Sequence, residues 1–411
     1  MPIKMAADHK ILSIDSDLNK IQDYDLLLER ILYEARRVVN ADAGSIYIRE
    51  DDQIAIKYAQ NDTKQKRLPP GEKEVYPLFK IPINEKSISG YVAMTGNSLR
   101  LRDVYHLPAG LPFSYASKYD QESNYKTTSM LTVPLINQDD VVRGVIQIIN
   151  ATDKTGKVIS FTKADEELVC HFATKATEAL QRARINRKLI TRPIAMAEMR
   201  DPKETGAHVN RVAGYSGELY EHWAYKQGLP VKRIASEKDN FKQAAMLHDV
   251  GKVAISDLIL KKPAKFTEEE YLIMQTHTWR GAHLFDDPES DMEAMALDVA
   301  LTHHENWDGT GYPGWVDLKT GKPTKIGLDG RALRRKGEEI SIWGRIVAIA
   351  DVYDALVSAR VYKQAWTEEK VLDELRAMKG SKFDPAVVDI FFEIYPRILQ
   401  VRQRYPDAAA D

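Results

Sequence analysis

The sequence predicts a multidomain protein: an N-terminal α+β domain around an antiparallel sheet, a long linker helix, and a C-terminal all-α domain. Three observations carry that expectation. A length of 411 residues exceeds one ordinary domain and suits two of about 150 to 200 residues. Short β-rich segments separated by polar turns fill the first part of the chain, whereas beyond residue 200 candidate helices follow one another with no strand-rich stretch. Between them, Thr162 to Arg192 contains neither glycine nor proline and is dominated by Ala, Glu, Lys, Leu and Arg. The expected boundaries are 1–165, 166–199 and 200–405.

The first domain begins with an amphipathic helix over Asp23 to Val39, where Leu27, Ile31, Ala35 and Val38 recur at spacings of three and four. Ser45 to Ile48 and Ile54 to Tyr58 read as strands across the turn Glu50-Asp51-Asp52. Residues 61–80 are polar and contain proline, which predicts a long loop. A short helix follows Ile88 and ends at Gly96, with a strand at Leu99-Arg100-Leu101. Met130 to Ile136 and Val141 to Ile149 then predict a hairpin across Asn137-Gln138-Asp139-Asp140.

In the linker, Phe172, Ala176, Ala179, Ala183, Asn186 and Ile190 step by four and three, the spacing of a coiled-coil seam. Alanine buries little area, so a weak parallel dimer is the expectation. The basic run Arg182, Arg184, Arg187 and Lys188 reads as a solvated face. Pro193 should kink or end the helix. Candidate helices of the last domain are Ala207–Gln227, Ser236–His248, Thr267–Phe285, Asp291–His304, Gly344–Ser358, Thr367–Lys379 and Pro385–Ile398.

Composition narrows the partners. Hydrophobic residues make up 44% and charged residues 29%, a globular balance, and the net charge of −2 gives no pull towards nucleic acid polymers or an anionic membrane. One cysteine, Cys170, excludes an intramolecular disulfide and fits a reducing compartment. No apolar run is long enough to span a bilayer, and Met1 to Lys10 lacks the apolar core of a signal peptide. The expected location is cytoplasmic.

Seven of the ten histidines lie after residue 200, which directs the search for chemistry to the last domain. The stretch Leu247-His248-Asp249-Val250-Gly251-Lys252 places two metal-ligand types and a cation that can meet phosphate within one or two helical turns. On a helix, His248 and Lys252 would share a face, as would Asp249 and Lys252. Glu204, His208, His277, His303, His304 and Asp351 extend the set. Glu204 and His208 are one turn apart. His303 and His304 would diverge by about 100° on a helix, so they could serve different ions, or one could ligate and the other support. Asp354 shares a face with Asp351. Imidazole mixed with carboxylate suits Mn, Fe, Ni, Co or Zn, and eight donors are more than one ion uses, so two or three ions are expected.

Two resemblances sharpen these expectations. Over residues 20–165 the chain resembles a GAF domain, through Ser89-Gly90-Tyr91-Val92, Thr95-Gly96, Leu101-Arg102-Asp103-Val104-Tyr105 and Ser129 to Leu135 leading to Gly144-Val145-Ile146-Gln147. Asn150, Phe161 and Asp165-Glu166 match positions common in cyclic-nucleotide-binding members, but Ala151 stands where those carry lysine. A small-molecule ligand in this domain and an empty dimerising module are both open. With the coiled-coil spacing of the linker, the expectation is a homodimer through this domain and the linker helix.

The last domain resembles the HD-GYP branch of metal-dependent phosphohydrolases. The resemblance runs through Thr205-Gly206-Ala207-His208, Leu247 to Lys252, Met274-Gln275-Thr276-His277, His303 to Pro313 with its Gly311-Tyr312-Pro313, Ala350-Asp351-Val352-Tyr353-Asp354, and Phe383-Asp384-Pro385. It implies hydrolysis of cyclic di-GMP to pGpG, with onward cleavage to GMP left open. The alternatives are another cyclic dinucleotide such as 3′,3′-cGAMP, or a non-catalytic cyclic-dinucleotide sensor. By position, Glu204, His208, His248, Asp249, His277, His303, His304 and Asp351 match metal ligands, with Fe or Mn expected and Glu204 the reason to favour three ions. Asp249 would bridge two ions. Lys252, Arg360 and Lys363 match substrate-phosphate contacts, Tyr312 at the loop tip could hydrogen-bond a phosphate through its hydroxyl, and Asp249 and Lys252 are the catalytic pair. The segment Trp315 to Lys336 is longer than in the family's commonest form. It reads either as a lid or phosphate contact or as a solvated surface loop.

Overall fold

The computed structural model describes residues 14, 16–69, 72–198, 206–358 and 366–407, without the side chains of 122, 193–198 and 206. The chain divides into two compact units, Met1–Arg187 and Lys188–Asp411.

In the first unit, α1 (Tyr24–Val38) starts where the Asp23 carboxylate accepts the backbone N–H groups of Asp25 and Leu26. β1 (Ala41–Glu50) and β2 (Gln53–Asn61) pair antiparallel across a tight turn in which Asp51 has φ 54°. The expected loop after β2 holds a four-residue helix, α2 (Asp62–Gln65), capped by Asn61, and the short strand β3 (Lys80–Pro82). Then follow α3 (Ile88–Thr95), β4 (Leu99–Leu101), α4 (Lys118–Ser123), β5 (Met130–Ile136), β6 (Val142–Thr152) and β7 (Val158–Ile159). The sheet is antiparallel throughout, in the order β3-β2-β1-β6-β5-β4, with β7 on β6.

The period-two alternation of strands decides which core each side chain joins. Ile46, Ile146 and Ile148 point to one face with Leu131, Val133 and Leu135, under α1. Tyr47 and Val145 point to the other, with Ile54, Val92 and Ala93 of α3.

The linker is one helix, α5 (Lys163–Glu198), and it does not end at Pro193. A proline costs about 3 kcal/mol inside a helix, and here thirty residues of strong helix formers precede it. The seam has a different partner from the one its spacing suggested. Phe172, Ala176, Ala179 and Ala183 are buried in the chain's own core, against Leu27, Leu28, Ile31 and the sheet. Asn186 donates to Gln22, Arg182 to Asn19, and Arg187 pairs with Asp25 at 3.0 Å. A stripe of that spacing shows that a helix face is covered. It does not say by what, and small alanines suit a closely packed sheet and helix as well as a second helix.

The second unit is helical. Its core lies among α6 (Gly206–Lys226), α7 (Val231–Ala245), α11 (Asp291–Thr302), α12 (Ile342–Val357) and α14 (Pro385–Glu393), with Tyr215, Phe241, Val299, Ile346, Tyr353 and Phe391 buried. The shorter elements are α8 (Asp257–Leu260), α9 (Glu268–Gln275), α10 (His277–His283), α13 (Glu368–Ala377) and α15 (Tyr395–Arg404). The expected helix over Thr267–Phe285 is thus two, and so is that over Pro385–Ile398. No helix among the described residues is long and apolar enough to cross a membrane.

Candidate metal centre

His248 and Asp249 do not lie on an α-helix. α7 stops at Ala245, and a turn leads into a 3₁₀ segment over Val250–Ala254. The tighter turn brings neighbours together that an α-helix would spread apart. His248 Nε2 lies 3.3 Å from Asp249 Oδ2, and Lys252 Nζ is 2.8 Å from the same oxygen. Gly251 makes this possible: a Cβ there would meet His277 O at 1.9 Å and Gly281 N at 2.5 Å, so only glycine lets the turn press against the start of α10.

The candidate ligands gather into two groups. Asp249, His277, His303 and His304 form one, and His208, His248 and Asp351 the other, with all donor atoms of a group within 4.8 Å of one another. Asp249 touches both, since Oδ1 lies 3.2 Å from His277 Nε2 and 3.5 Å from His303 Nε2 while Oδ2 faces His248. His303 and His304 join a single group rather than diverging, because α11 ends at Thr302 and the chain turns; their ring centroids are 4.0 Å apart. Glu204, Arg360 and Lys363 lie outside the described residues.

Hydrogen bonding fixes which ring nitrogen faces inward. Nδ1 of His248 donates to Ala245 O at 3.0 Å, Nδ1 of His277 to Met274 O at 2.6 Å, and Nδ1 of His303 to Val299 O at 3.0 Å. Each ring then turns Nε2 towards the cluster. Burial pushes the imidazoliums of His303 and His304 down, so both rings are neutral. Burial alone would raise the Asp249 carboxyl, but Lys252 and His248 outweigh it and hold the group well below the usual carboxylate range. The neutral rings of His303 and His304 therefore stand beside an ionised carboxylate. His277 Nε2, His303 Nε2 and Asp249 Oδ1 are buried without a hydrogen-bond partner. Buried nitrogen and carboxylate oxygen atoms that converge without hydrogen-bond partners suit a divalent transition metal.

The supporting residues were harder to find from sequence. His208 Nδ1 donates to Asp354 Oδ2 at 2.8 Å, turning Nε2 towards Asp351 Oδ1 at 3.5 Å. Asp354 is held by Arg211 through Nε at 2.6 Å and Nη2 at 2.9 Å. Half-buried Lys382, in the field of Asp351, is a further cation that no motif singled out; burial pushes it down. The Gly-Tyr-Pro loop is pressed onto the end of α11: a Cβ at Gly311 would lie 2.2 Å from Asn306 N, and Tyr312 N donates to His304 O at 3.2 Å. The Tyr312 ring covers His304, centroids 4.8 Å apart, across a cis Tyr312–Pro313 bond. Asp308 accepts from Thr310 N and Oγ1, so it shapes the loop. Buried Glu305 accepts from Gly314 N at 2.6 Å and anchors the loop's far end.

Trp315 to Lys336 is a folded excursion. Val316 bridges Pro323 and Ile326 bridges Ala332, while the Trp315 ring sits between Lys325 Nζ at 3.5 Å and the Arg335 guanidinium at 3.9 Å. Arg334 donates to Pro313 O at 3.2 Å, so the excursion braces the Gly-Tyr-Pro loop from outside.

In the first unit, the residues that match nucleotide-binding positions are engaged within the domain. Asn150 ties together Tyr125, Lys126 and Thr128, Asp165 caps Thr162, and Glu166 accepts from Ser98 and Arg100.

Family models place a GAF domain at residues 23–180 and an HD domain at residues 205–356, with a second HD match at 327–387. A 3'3'-cGAMP-specific phosphodiesterase of Vibrio cholerae is 42% identical over 205 residues, covering 50% of this chain and 34% of the relative. A cyclic di-GMP phosphodiesterase of the same organism is 39% identical, covering 52% of this chain and 41% of the relative. A cyclic di-GMP phosphodiesterase of Thermotoga maritima is 35% identical, covering 52% and 50%. The chain thus spans half or less of the length of these relatives. The antiparallel sheet of the first unit and the helical second unit with its two His/Asp clusters agree with these matches: residues 23–180 carry a GAF domain and residues 205–356 an HD domain.

Proposed function

We propose that the HD domain is a metal-dependent phosphodiesterase that opens a cyclic dinucleotide, cyclic di-GMP foremost, to the linear pGpG, under control of the GAF domain. The observation that carries the reading is the Asp249 carboxylate shared by two His/Asp clusters; the names of the relatives supply the substrate class. His208, His248 and Asp351 would hold one ion, and Asp249, His277, His303 and His304 the other, with Asp249 between them. Iron or manganese fits the mixed donors. Glu204 would add a third ion, and Arg360 and Lys363 would meet substrate phosphate.

Ions bound there supply Lewis acidity to a phosphoryl oxygen and to water. The chain does the rest. Backbone carbonyls and Asp354 hold the rings in one tautomer. Lys252 balances Asp249 in the free protein and offers its ammonium to the charge that develops on phosphate. Tyr312, whose hydroxyl burial keeps protonated, remains a hydrogen-bond donor at neutral pH.

Hydrolysis of cyclic di-GMP by the full chain, reconstituted anaerobically with Fe or Mn, tests the reading; no turnover of any cyclic dinucleotide at full metal loading would sink it. A second reading, preference for 3′,3′-cGAMP, is favoured by the relative at 42% identity, and side-by-side kcat/KM values decide. A small-molecule ligand in the GAF domain is part of the proposal. Homodimerisation would have to use faces other than the buried Phe172–Ala183 stripe.

A further inference from the structure

We infer that Tyr271 is the stacking platform for a nucleobase of the substrate, an inference that rests on the cyclic-dinucleotide reading. α9 runs directly into His277, and its start is locked by a reciprocal cap between Thr267 and Glu270. A side chain on this helix therefore has a fixed position relative to the metal cluster. Tyr271 is 47% exposed, and its ring stands edge-on to Tyr312, centroids 6.2 Å apart at 79°. The two rings do different work. Tyr312 is committed to protein packing, tilted by 31° over His304 and 6.4 Å from His277. Tyr271 stands across Tyr312 in a T-shaped pair and keeps nearly half of its surface open to solvent beside the same loop.

The chemistry of a cyclic dinucleotide matches that arrangement. Its phosphates belong on the cations and its bases must find cover to the side, one aromatic step away from the clusters. Of the carboxylates in the first turn of α9, Glu270 is paired with Lys262 and Glu268 with Arg331, which leaves stacking as the contact Tyr271 offers.

The test is steady-state hydrolysis of cyclic di-GMP and of 3′,3′-cGAMP by the full metal-loaded chain as wild type, Tyr271→Ala, Tyr271→Phe and Tyr271→Trp, with metal content measured on each. Tyr271→Ala is expected to raise KM about ten- to a hundredfold, with a smaller effect on kcat and full metal content, while Tyr271→Phe and Tyr271→Trp restore KM. An unchanged KM in Tyr271→Ala overturns the platform, and wild-type turnover then leaves the phosphodiesterase reading standing. Equal KM increases in Tyr271→Ala and Tyr271→Phe also overturn it, because they assign the effect to the hydroxyl. Failure of wild type to turn over either dinucleotide overturns the reading and the platform with it.

Discussion

Asp354 and His208 form a buried hydrogen-bonded pair, 2.8 Å from Oδ2 to Nδ1, through which a residue outside both metal clusters decides where a candidate ligand points. Asp354 also carries the counter-charge of Arg211, which is 2% exposed. Asp354→Asn is therefore expected to lower metal affinity about 10–100-fold and to cost about 3–5 kcal/mol of stability. Elemental analysis after dialysis against graded metal buffers, together with thermal melts, checks both effects; wild-type metal content across the series would remove Asp354 from the metal centre.

Substitution of Asp249 should be harsher, because one carboxylate faces both clusters. Asp249→Asn is expected to lower turnover by more than the roughly 10–100-fold typical of a residue that only supports a ligand. Turnover of cyclic di-GMP is the measurement. A variant that hydrolyses like wild type would refute the bridging role, and one that loses turnover yet keeps a signalling output would favour the sensor.

Glu204→Ala is expected to remove one ion per chain and leave the helical fold intact. Elemental analysis beside far-UV circular dichroism checks this, and unchanged stoichiometry would refute a third ion.

The Glu305 carboxyl is pushed up to about 7 by burial, which the Gly314 N–H and the nearby Arg335 and Arg334 only partly offset. Between the unfolded value of 4.5 and the folded value of about 7, the folded chain keeps a proton that the unfolded chain has released. Stability contributed by this group is thus fully present at low pH, falls as pH rises through that window, and is level above it. The loss is about 3 kcal/mol. Glu305→Gln keeps an acceptor for Gly314 and has no such falling limb. Unfolding of chelated wild type and variant from pH 4.5 to 8 should show the difference, and parallel curves would refute it.

The Ala176 position discriminates between partners for the linker helix. In a dimer seam, leucine would add buried area and strengthen association. Ala176 is instead fully buried in its own core, so Ala176→Leu is expected to cost about 1–3 kcal/mol through overpacking. Thermal melts with light scattering test this; a variant that is more stable and more strongly associated would return the stripe to an intermolecular role.

Much of the site was legible because metal ligation restricts residue type. His208, His248, His277, His303, His304, Asp249 and Asp351 are the residue types such chemistry requires, and all seven converge. What sequence could not supply was local geometry. Helical spacing spread His248 from Asp249 and His303 from His304, whereas both pairs sit just beyond helix ends, where the turn is tighter. Nor could it rank Asp354 above any other carboxylate sharing a face with Asp351, because its importance lies in a contact with a ring 146 residues away. The same holds for Tyr271, whose exposure and edge-on contact with Tyr312 belong to the fold alone. In the first unit the strand alternation and the Gly96 stop were readable from local pattern, while the partner of the Phe172–Ala183 stripe was not.

Sharing of Asp249 between the clusters has a thermodynamic consequence. A carboxylate already polarised by a cation on one side is a poorer or better donor on the other, according to the geometry it is drawn into. Loading of the two positions is then coupled, and whatever factor the first ion imposes on the second must be returned by the second on the first. A metal titration of this domain should not resolve into two independent isotherms, and the fraction of fully loaded chain at any metal concentration will differ from the product of two separate occupancies.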